Sequence, residues 1–143
     1  MIRYESSVAV ARPPEDVFRY LVEPQKQALW SDVPMRRLDD GPPGAGSRIE
    51  LVLAGGPLKV TIGMEYTAIE PPRRVAFRTF SGPIHWDGEY RVDPEGTGGA
   101  RLSQQGTLVF TGLWRLLEPI VGAEVRRAEI KELERLKQAA EAA

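Results

Sequence analysis

Of the side chains that can transfer protons or anchor a polar group of a ligand, four are candidates for acid–base chemistry in an apolar pocket, namely Glu124, Tyr66, Tyr90 and His85. Glu124 falls on the apolar stripe of a helical pattern near the end of the chain. A carboxylate that faces an apolar pocket has a raised pKa and can act as an acid, a base or a hydrogen-bond anchor. The alternative is that Glu124 reaches solvent or pairs with Arg127, as most charged residues on helices do.

His85 is the only histidine, and the chain has no cysteine. Together these facts exclude a centre built from several histidines, cysteine-ligated zinc, thiol catalysis and disulfides. Alternation places His85 on the solvent side of its strand, and an inward position requires a bulge at Gly82–Pro83. The glycine-rich segments GPPGAGSR and GTGGAR match no phosphate-binding motif, and no hydrolase signature is present. We therefore predict no metal and no cofactor.

Composition favours one compact domain over residues 1–143. The chain has 42% apolar and 27% charged residues and a formal charge of −1, so it offers no basic field for nucleic acid. The longest apolar stretch near the start is VAVA, too short for a signal peptide or a transmembrane segment. The absence of cysteine fits a reducing compartment, and a cytoplasmic location is expected.

Alternating apolar residues predict about seven strands. Residues 2–11 give the first strand, 49–53 and 58–66 a hairpin through the AGGP turn, and 75–79, 86–92 and 102–110 three more, with MRRLDD as a short additional strand. The segments EDVFRYLV and QKQALW predict two short helices after the first strand. From Leu113 onward apolar residues recur at helical spacing, and residues 123–142 contain no glycine or proline, which predicts one long terminal helix.

An antiparallel sheet with one apolar face must cover that face, and the terminal helix is the only element long enough to do so. The fold class predicted is therefore α+β, a curved sheet wrapped around a long C-terminal helix. This order resembles the START-like (SRPBCC, Bet v 1-like) superfamily, which includes the major birch-pollen allergen, polyketide cyclases and lipid-transfer domains. The resemblance covers the whole chain, and its local marks are VAVARPPEDVFRYL followed by Trp30, PPRRVAF, and GLWRLLEPIVGAEVRRAEIKELERLK. It implies a helix-grip fold with a cavity between helix and sheet.

Residues on the helix side of each strand either pack the core or line this cavity. Polar residues at inward positions carry more information than aliphatic ones, because a buried polar group needs a hydrogen bond. Gln104, Thr79 and Tyr66 could thus orient an oxygen atom of a ligand, or each could bond a buried water or the backbone. The ligand-contacting residues predicted are Trp30, Leu51, Leu53, Ile62, Met64, Tyr66, Phe77, Thr79, Trp86, Tyr90, Gln104, Leu117, Val121 and Glu124.

Three functions fit these patterns. The first is binding of a small hydrophobic molecule, aromatic, polyketide-like or lipid-like. The second is a cyclase or dehydratase that uses the same cavity, with its acid or base among Glu124, Tyr66, Tyr90 and His85. The third is a protein-binding module with a filled interior and an exposed patch seeded by outward-facing Val52, Ala76, Phe80 and Val109, which could also form a homodimer.

Overall fold

The computed structural model describes residues 1–31, 33–55 and 58–143. The turn of the predicted AGGP hairpin lies partly outside these residues. Seven strands are present: β1 (Ile2–Val10), β2 (Met35–Arg37), β3 (Arg48–Gly55), β4 (Leu58–Glu70), β5 (Arg74–Ser81), β6 (Ile84–Glu95) and β7 (Gly99–Phe110). The helices are α1 (Pro14–Val22), α2 (Pro24–Gln27), a 3₁₀ helix (Gly112–Leu117) and α3 (Glu118–Ala142).

The strands form one antiparallel sheet in the order β1-β7-β6-β5-β4-β3-β2. Strands β2 to β7 follow one another as a meander, and β1 pairs with β7 along its full length, with Ile2 opposite Leu108 and Val10 opposite Ala100. The predicted α+β class, strand number and terminal helix are confirmed. Among the described residues, no helix is long and apolar enough to cross a lipid bilayer.

Helix boundaries differ from the expected ones in two places. The second short helix stops at Gln27 instead of reaching Trp30. The terminal helix does not run unbroken from Leu113, since residues Gly112–Leu117 form a 3₁₀ helix before α3 begins. Pro119 explains the junction, because proline lacks the N–H that a continuing helix requires and is tolerated only in a first turn.

The two halves of α3 have different surroundings. In the C-terminal half, Leu133, Leu136 and Ala140 are buried in a core shared with α1 and the sheet. In the N-terminal half the buried residues are Gly122 and Glu129, while Val121 and Val125 are half-buried. The helix therefore packs tightly on the sheet at one end and stands away from it at the other, which leaves space beneath its first turns.

Candidate functional site

A cavity of about 390 Å³ fills this space. Its floor is the concave face of the sheet, and its roof is formed by the 3₁₀ helix and the N-terminal half of α3. Five exposed lining residues mark its opening to solvent, which we call the mouth: Met35, Ala54, Lys59, Glu124 and Ala128. A protein-binding module with a filled interior was one expectation, and the interior of this protein is not filled.

Four rings form one side of the cavity, and we call them the aromatic wall: Trp30, Phe77, Trp86 and Tyr90. Trp30 meets Tyr90 edge to face at 6.3 Å between ring centroids, and Phe77 meets Trp86 in the same way at 5.4 Å. Phe77 and Tyr90 are tilted by 42° at 6.1 Å. Edge-to-face packing of this kind fixes ring orientation, so the wall has a defined shape.

The indole N–H groups of the aromatic wall are bonded within the protein. Trp30 Nε1 donates to the carbonyl oxygen of Tyr20 at 2.7 Å, and Trp86 Nε1 donates to the hydroxyl of Tyr4 at 2.9 Å. A buried indole N–H usually finds such a partner. Because both donors are already used, these two side chains offer a ligand their apolar carbon surface.

Two glycines make room for the Tyr4 ring that supports Trp86. Gly88 and Gly106 are paired across β6 and β7, and Gly106 also pairs with Tyr4 on β1. A Cβ atom on Gly88 would stand 2.6 Å from Phe77 and 2.9 Å from the Tyr4 hydroxyl, and one on Gly106 would overlap the Tyr4 ring. Glycine is thus required at both positions for the rings to lie close to the sheet backbone.

Tyr66 and Gln27 form a polar contact on the wall. Gln27 Nε2 donates to the carbonyl oxygen of Leu21 at 2.6 Å and to the Tyr66 hydroxyl at 3.1 Å. Burial raises the pKa of Tyr66, while the hydrogen bond from Gln27 and the charge of Arg37 oppose that shift. The Tyr66 hydroxyl is therefore neutral at physiological pH, and its own hydrogen is available to a ligand acceptor.

A pair of carboxyl groups, Glu129 and Glu132, lines the cavity from α3. Glu129 is only 7% exposed. Burial, and after it the charge of Glu132, raises the pKa of Glu129 to about 8, so this side chain is mostly protonated at neutral pH. The charges of Glu132 and Glu129 also contribute to the raised pKa of Tyr90, after the larger effect of burial, which places the carboxyl pair near the aromatic wall.

Eleven of the fourteen predicted ligand-contacting residues line the cavity, and three do not. Ile62 is fully buried and packs beneath the backbone of Gly82. The hydroxyl of Thr79 accepts the backbone N–H of Trp86 at 3.1 Å. Gln104 Nε2 donates to Ser6 Oγ and to the carbonyl oxygen of Glu129, so this side chain joins the sheet to α3 instead of facing the cavity.

The predicted acid–base candidates lie in different places. Tyr66 and Tyr90 line the cavity, whereas Glu124 is exposed at the mouth. His85 is exposed on the outer face of the sheet, because no bulge turns it inward and Ile84 takes the buried position beside it. Among the described residues, no group of three histidine, aspartate or glutamate side chains converges in a way that could hold a metal ion.

Several residues that line the cavity were not predicted from the sequence. The most important of them chemically are Glu129 and Glu132. Glu129 lies four residues after Val125 and four before Leu133, at the centre of the stripe that α3 buries. The apolar stripe beside Glu124 continues through Val125 to Leu133, and extending the helical pattern that far identifies Glu129 as an inward-facing residue. Other missed residues include Gln27, Ser31, Val33, Met35 and Ile49.

Two residues of the predicted exposed patch, Ala76 and Phe80, are fully or partly covered in the structure. Ala76 is buried although it belongs to the outer face, and Phe80 is covered in part by the Arg48 guanidinium, 4.2 Å from its ring centroid. The most exposed large apolar side chains lie elsewhere, on the 3₁₀ helix and the start of α3: Leu113, Leu116 and Ile120.

Solved structures share this fold at low sequence identity. TTHA0849 from Thermus thermophilus superposes with a TM-score of 0.81 at 20% identity, covering 98% of this chain and 97% of its own. The Zhui aromatase/cyclase from Streptomyces sp. R1128 also gives 0.81, at 18% identity and 97% and 93% coverage. Ara h 8.0201 gives 0.72 at 13% identity, with 99% and 98% coverage.

The sequence matches one family model over nearly its whole length. A comparison with curated proteins finds no match. A family model described as polyketide cyclase / dehydrase and lipid transport matches residues 1–141. The chain therefore belongs to the polyketide cyclase / dehydrase and lipid transport family, a member of the START-like superfamily that its sequence resembles.

Proposed function

We propose that this protein binds a small, mostly apolar molecule in the cavity between the sheet and α3. The observation that carries the proposal is a cavity of about 390 Å³ whose wall is aromatic and aliphatic, with few polar groups. Sites for small ligands are commonly about 300–1,000 Å³ with this composition. A packing defect is smaller, since close-packed interiors leave few voids larger than a water molecule.

The polar groups that line the cavity can orient a bound ligand. Tyr66 can donate a hydrogen bond from its hydroxyl, and the carboxyl groups of Glu129 and Glu132 can donate or accept depending on their protonation. A few such groups in an apolar cavity fix the position of a ligand without contributing most of the affinity. We assign ligand contact to the predicted residues that line the cavity, with Trp30, Phe77, Trp86 and Tyr90 as its main surface.

Binding can be tested with an uncharged fluorescent probe, N-phenyl-1-naphthylamine, together with native mass spectrometry of the purified protein for a retained molecule. The blocking variant is Val121→Trp, because Val121 lines the cavity and a larger ring there occupies ligand space. The matched control is Ile120→Trp, whose neighbouring position is 72% exposed and lies outside the cavity. We expect saturable probe binding that Val121→Trp abolishes and Ile120→Trp preserves. Equal binding by all three proteins, or none by the parent, contradicts the proposal.

A second candidate is a dehydratase or cyclase acting in the same cavity, and the position of Glu129 favours it. A carboxyl group with a pKa of about 8 can donate its proton to a leaving hydroxyl, which departs as water, and its carboxylate can accept the proton from the adjacent carbon. Glu129→Gln would then abolish turnover while leaving affinity for the uncharged probe within about twofold. Unchanged turnover in that variant removes Glu129 from the chemistry.

A further inference from the structure

Among the described residues, the ionisable side chains that line the interior of the cavity are acids. Of the lining residues, Lys59 and Glu124 stand at the solvent-exposed mouth, and the ionisable acids deeper in are Glu129 and Glu132. No lysine, arginine or histidine side chain lines the interior among the residues that the structure describes. A ligand that enters past the mouth thus meets carboxyl groups and aromatic rings.

The carboxyl group of Glu129 has no partner within the described part of the protein. It is 7% exposed, and within residues 1–31, 33–55 and 58–143 no hydrogen bond or ion pair is formed by its carboxyl group. The bond to Gln104 uses the backbone oxygen of Glu129, not its side chain. Buried charges in proteins are normally paired or hydrogen-bonded, so an unpartnered carboxyl group beside an empty cavity points to a partner supplied from outside.

The aromatic wall supplies the second half of a cation site. Ring faces carry partial negative charge and attract ammonium groups, and they do so more strongly when water is excluded. Tyr90 belongs to this wall, and both carboxyl groups act electrostatically on it. Carboxylate oxygens and ring faces around one apolar space are together the chemistry that recognises an alkylammonium head attached to an apolar body.

We propose that the ligand of this cavity is a hydrophobic amine, whose cationic head lies between the Glu129 and Glu132 carboxylates and the aromatic wall. This inference rests on the proposed function and adds the charge and class of the ligand to it. It also predicts weaker binding of fatty acids and other anionic amphiphiles than of amines, because the ionisable side chains deeper in the cavity are acids.

Ionisation of Glu129 links binding to pH. Among the described residues, the ionisable groups that interact electrostatically with Glu129 are Glu132 on α3, Tyr4 on β1 and Tyr90 on β6, and both tyrosine pKa values are raised by burial, so the two rings stay neutral. With its pKa at about 8, Glu129 must lose a proton before it pairs with an ammonium group at neutral pH. The affinity for a permanently charged amine should therefore rise by up to about tenfold per pH unit below pH 8 and level off above it.

The test uses a matched pair of probes of the same shape, benzyltrimethylammonium and the uncharged neopentylbenzene, with phenylacetate as the anion. All three tryptophans of the chain line the cavity, so intrinsic fluorescence reports on each titration. We expect benzyltrimethylammonium to bind at least about tenfold more tightly than neopentylbenzene, as one charge-assisted contact would provide, and phenylacetate not to bind.

Two variants distinguish recognition of the ammonium group from binding of the apolar part of the probe. Glu129→Gln should reduce the affinity for benzyltrimethylammonium to that of the hydrocarbon, and leave neopentylbenzene unaffected. Glu134→Gln is the matched control, because Glu134 is exposed on the same helix and outside the cavity. The pH dependence in the parent protein needs no variant and stands even if a substitution impairs folding.

The outcomes are distinct. If neopentylbenzene binds as tightly as the cation and the affinities do not respond to Glu129→Gln or to pH, the amine inference is wrong while the cavity function stands. If neither probe binds, the proposed function fails and the amine site fails with it. A preference for phenylacetate also overturns the inference.

Discussion

The carboxyl group of Glu129 occupies a position that the flanking turns of α3 fill with valine and leucine. Its folded-state pKa of about 8 lies above its ordinary value of 4.5, mainly because burial disfavours the charged form. Between these two pH values Glu129 holds more protons in the folded protein than in the unfolded chain, so its contribution to the free energy of unfolding falls as the pH rises. Burial of Glu129 lowers the stability of the folded protein at neutral pH. The presence of this residue is therefore better explained by a role in ligand binding than by a role in folding.

This gives a prediction for stability against pH. From pH 5 to pH 8, the thermal midpoint of the parent protein should decrease, and Glu129→Gln should remove much of that decrease, because glutamine does not ionise. Glu134→Gln should follow the parent curve. Thermal unfolding monitored by circular dichroism measures all three proteins, and identical slopes in the parent and in Glu129→Gln would show that Glu129 is not protonated in the folded state.

Gly106 provides a prediction about the support of the aromatic wall. Gly106→Ala places a methyl group where the Tyr4 ring lies, so Tyr4 must move and release the indole N–H of Trp86. We expect a loss of about 1–3 kcal/mol in the free energy of unfolding, with a changed Trp86 emission. Gly44→Ala is the control, because a Cβ atom there meets nothing within 4 Å. Equal unfolding midpoints in urea for the two variants would contradict the packing described.

At the scale of elements, the division of α3 into a packed half and a roof half decides where the cavity lies. Alternation was sufficient to predict six of the seven strands, while the short β2 has no buried face and was expected only as an additional strand over MRRLDD. The helical spacing of apolar residues was likewise sufficient to predict the last helix. The 3₁₀ segment Gly112–Leu117 was not separable by pattern, since its apolar residues continue the helical spacing, and only the proline at 119 marks the junction.

The candidate site was only partly predictable for the same reason. Inward-facing strand residues follow from alternation, so most of the floor could be named. Whether an inward residue packs, bonds the backbone or faces a cavity depends on how far α3 stands from the sheet, and no local pattern encodes that distance. Gln104 and Glu129 illustrate the point, because both are inward and polar, yet one holds the helix to the sheet and the other faces the cavity.

Two leucines test the division of the roof from the core. Leu136 is fully buried in the packed half, and Leu117 lines the cavity at the end of the 3₁₀ helix. Leu136→Ala should cost about 2–5 kcal/mol in the free energy of unfolding, and Leu117→Ala about 1 kcal/mol or less, because its side chain already borders empty space. Chemical denaturation of the two variants measures the difference, and equal losses would mean that both leucines are packed alike.

At the scale of the whole molecule, the sheet and the packed half of α3 form a frame, and the roof closes on whatever fills the cavity. Hydrogen bonds hold the ends of the frame: Glu141 accepts the backbone N–H of Ala11 at 2.8 Å, and Arg135 Nε donates to the carbonyl oxygen of Trp30 at 3.1 Å. Local opening is easiest where few apolar contacts are buried. The roof is therefore the part whose stability a ligand can change.

Hydrogen exchange measures this directly. In the ligand-free protein, we expect backbone amides of residues 118–128 to exchange faster than those of 130–140, because the first group covers the cavity and the second packs on the core. A bound apolar probe such as N-phenyl-1-naphthylamine should slow exchange in residues 118–128 and leave 130–140 unchanged, since ligand binding adds stability only to states in which its site is intact. In Val121→Trp, where the indole occupies the cavity, protection should appear without the probe and increase no further when it is added. Uniform protection across α3 in every case would mean that the helix opens as one unit and that the roof is not an independent part of the molecule.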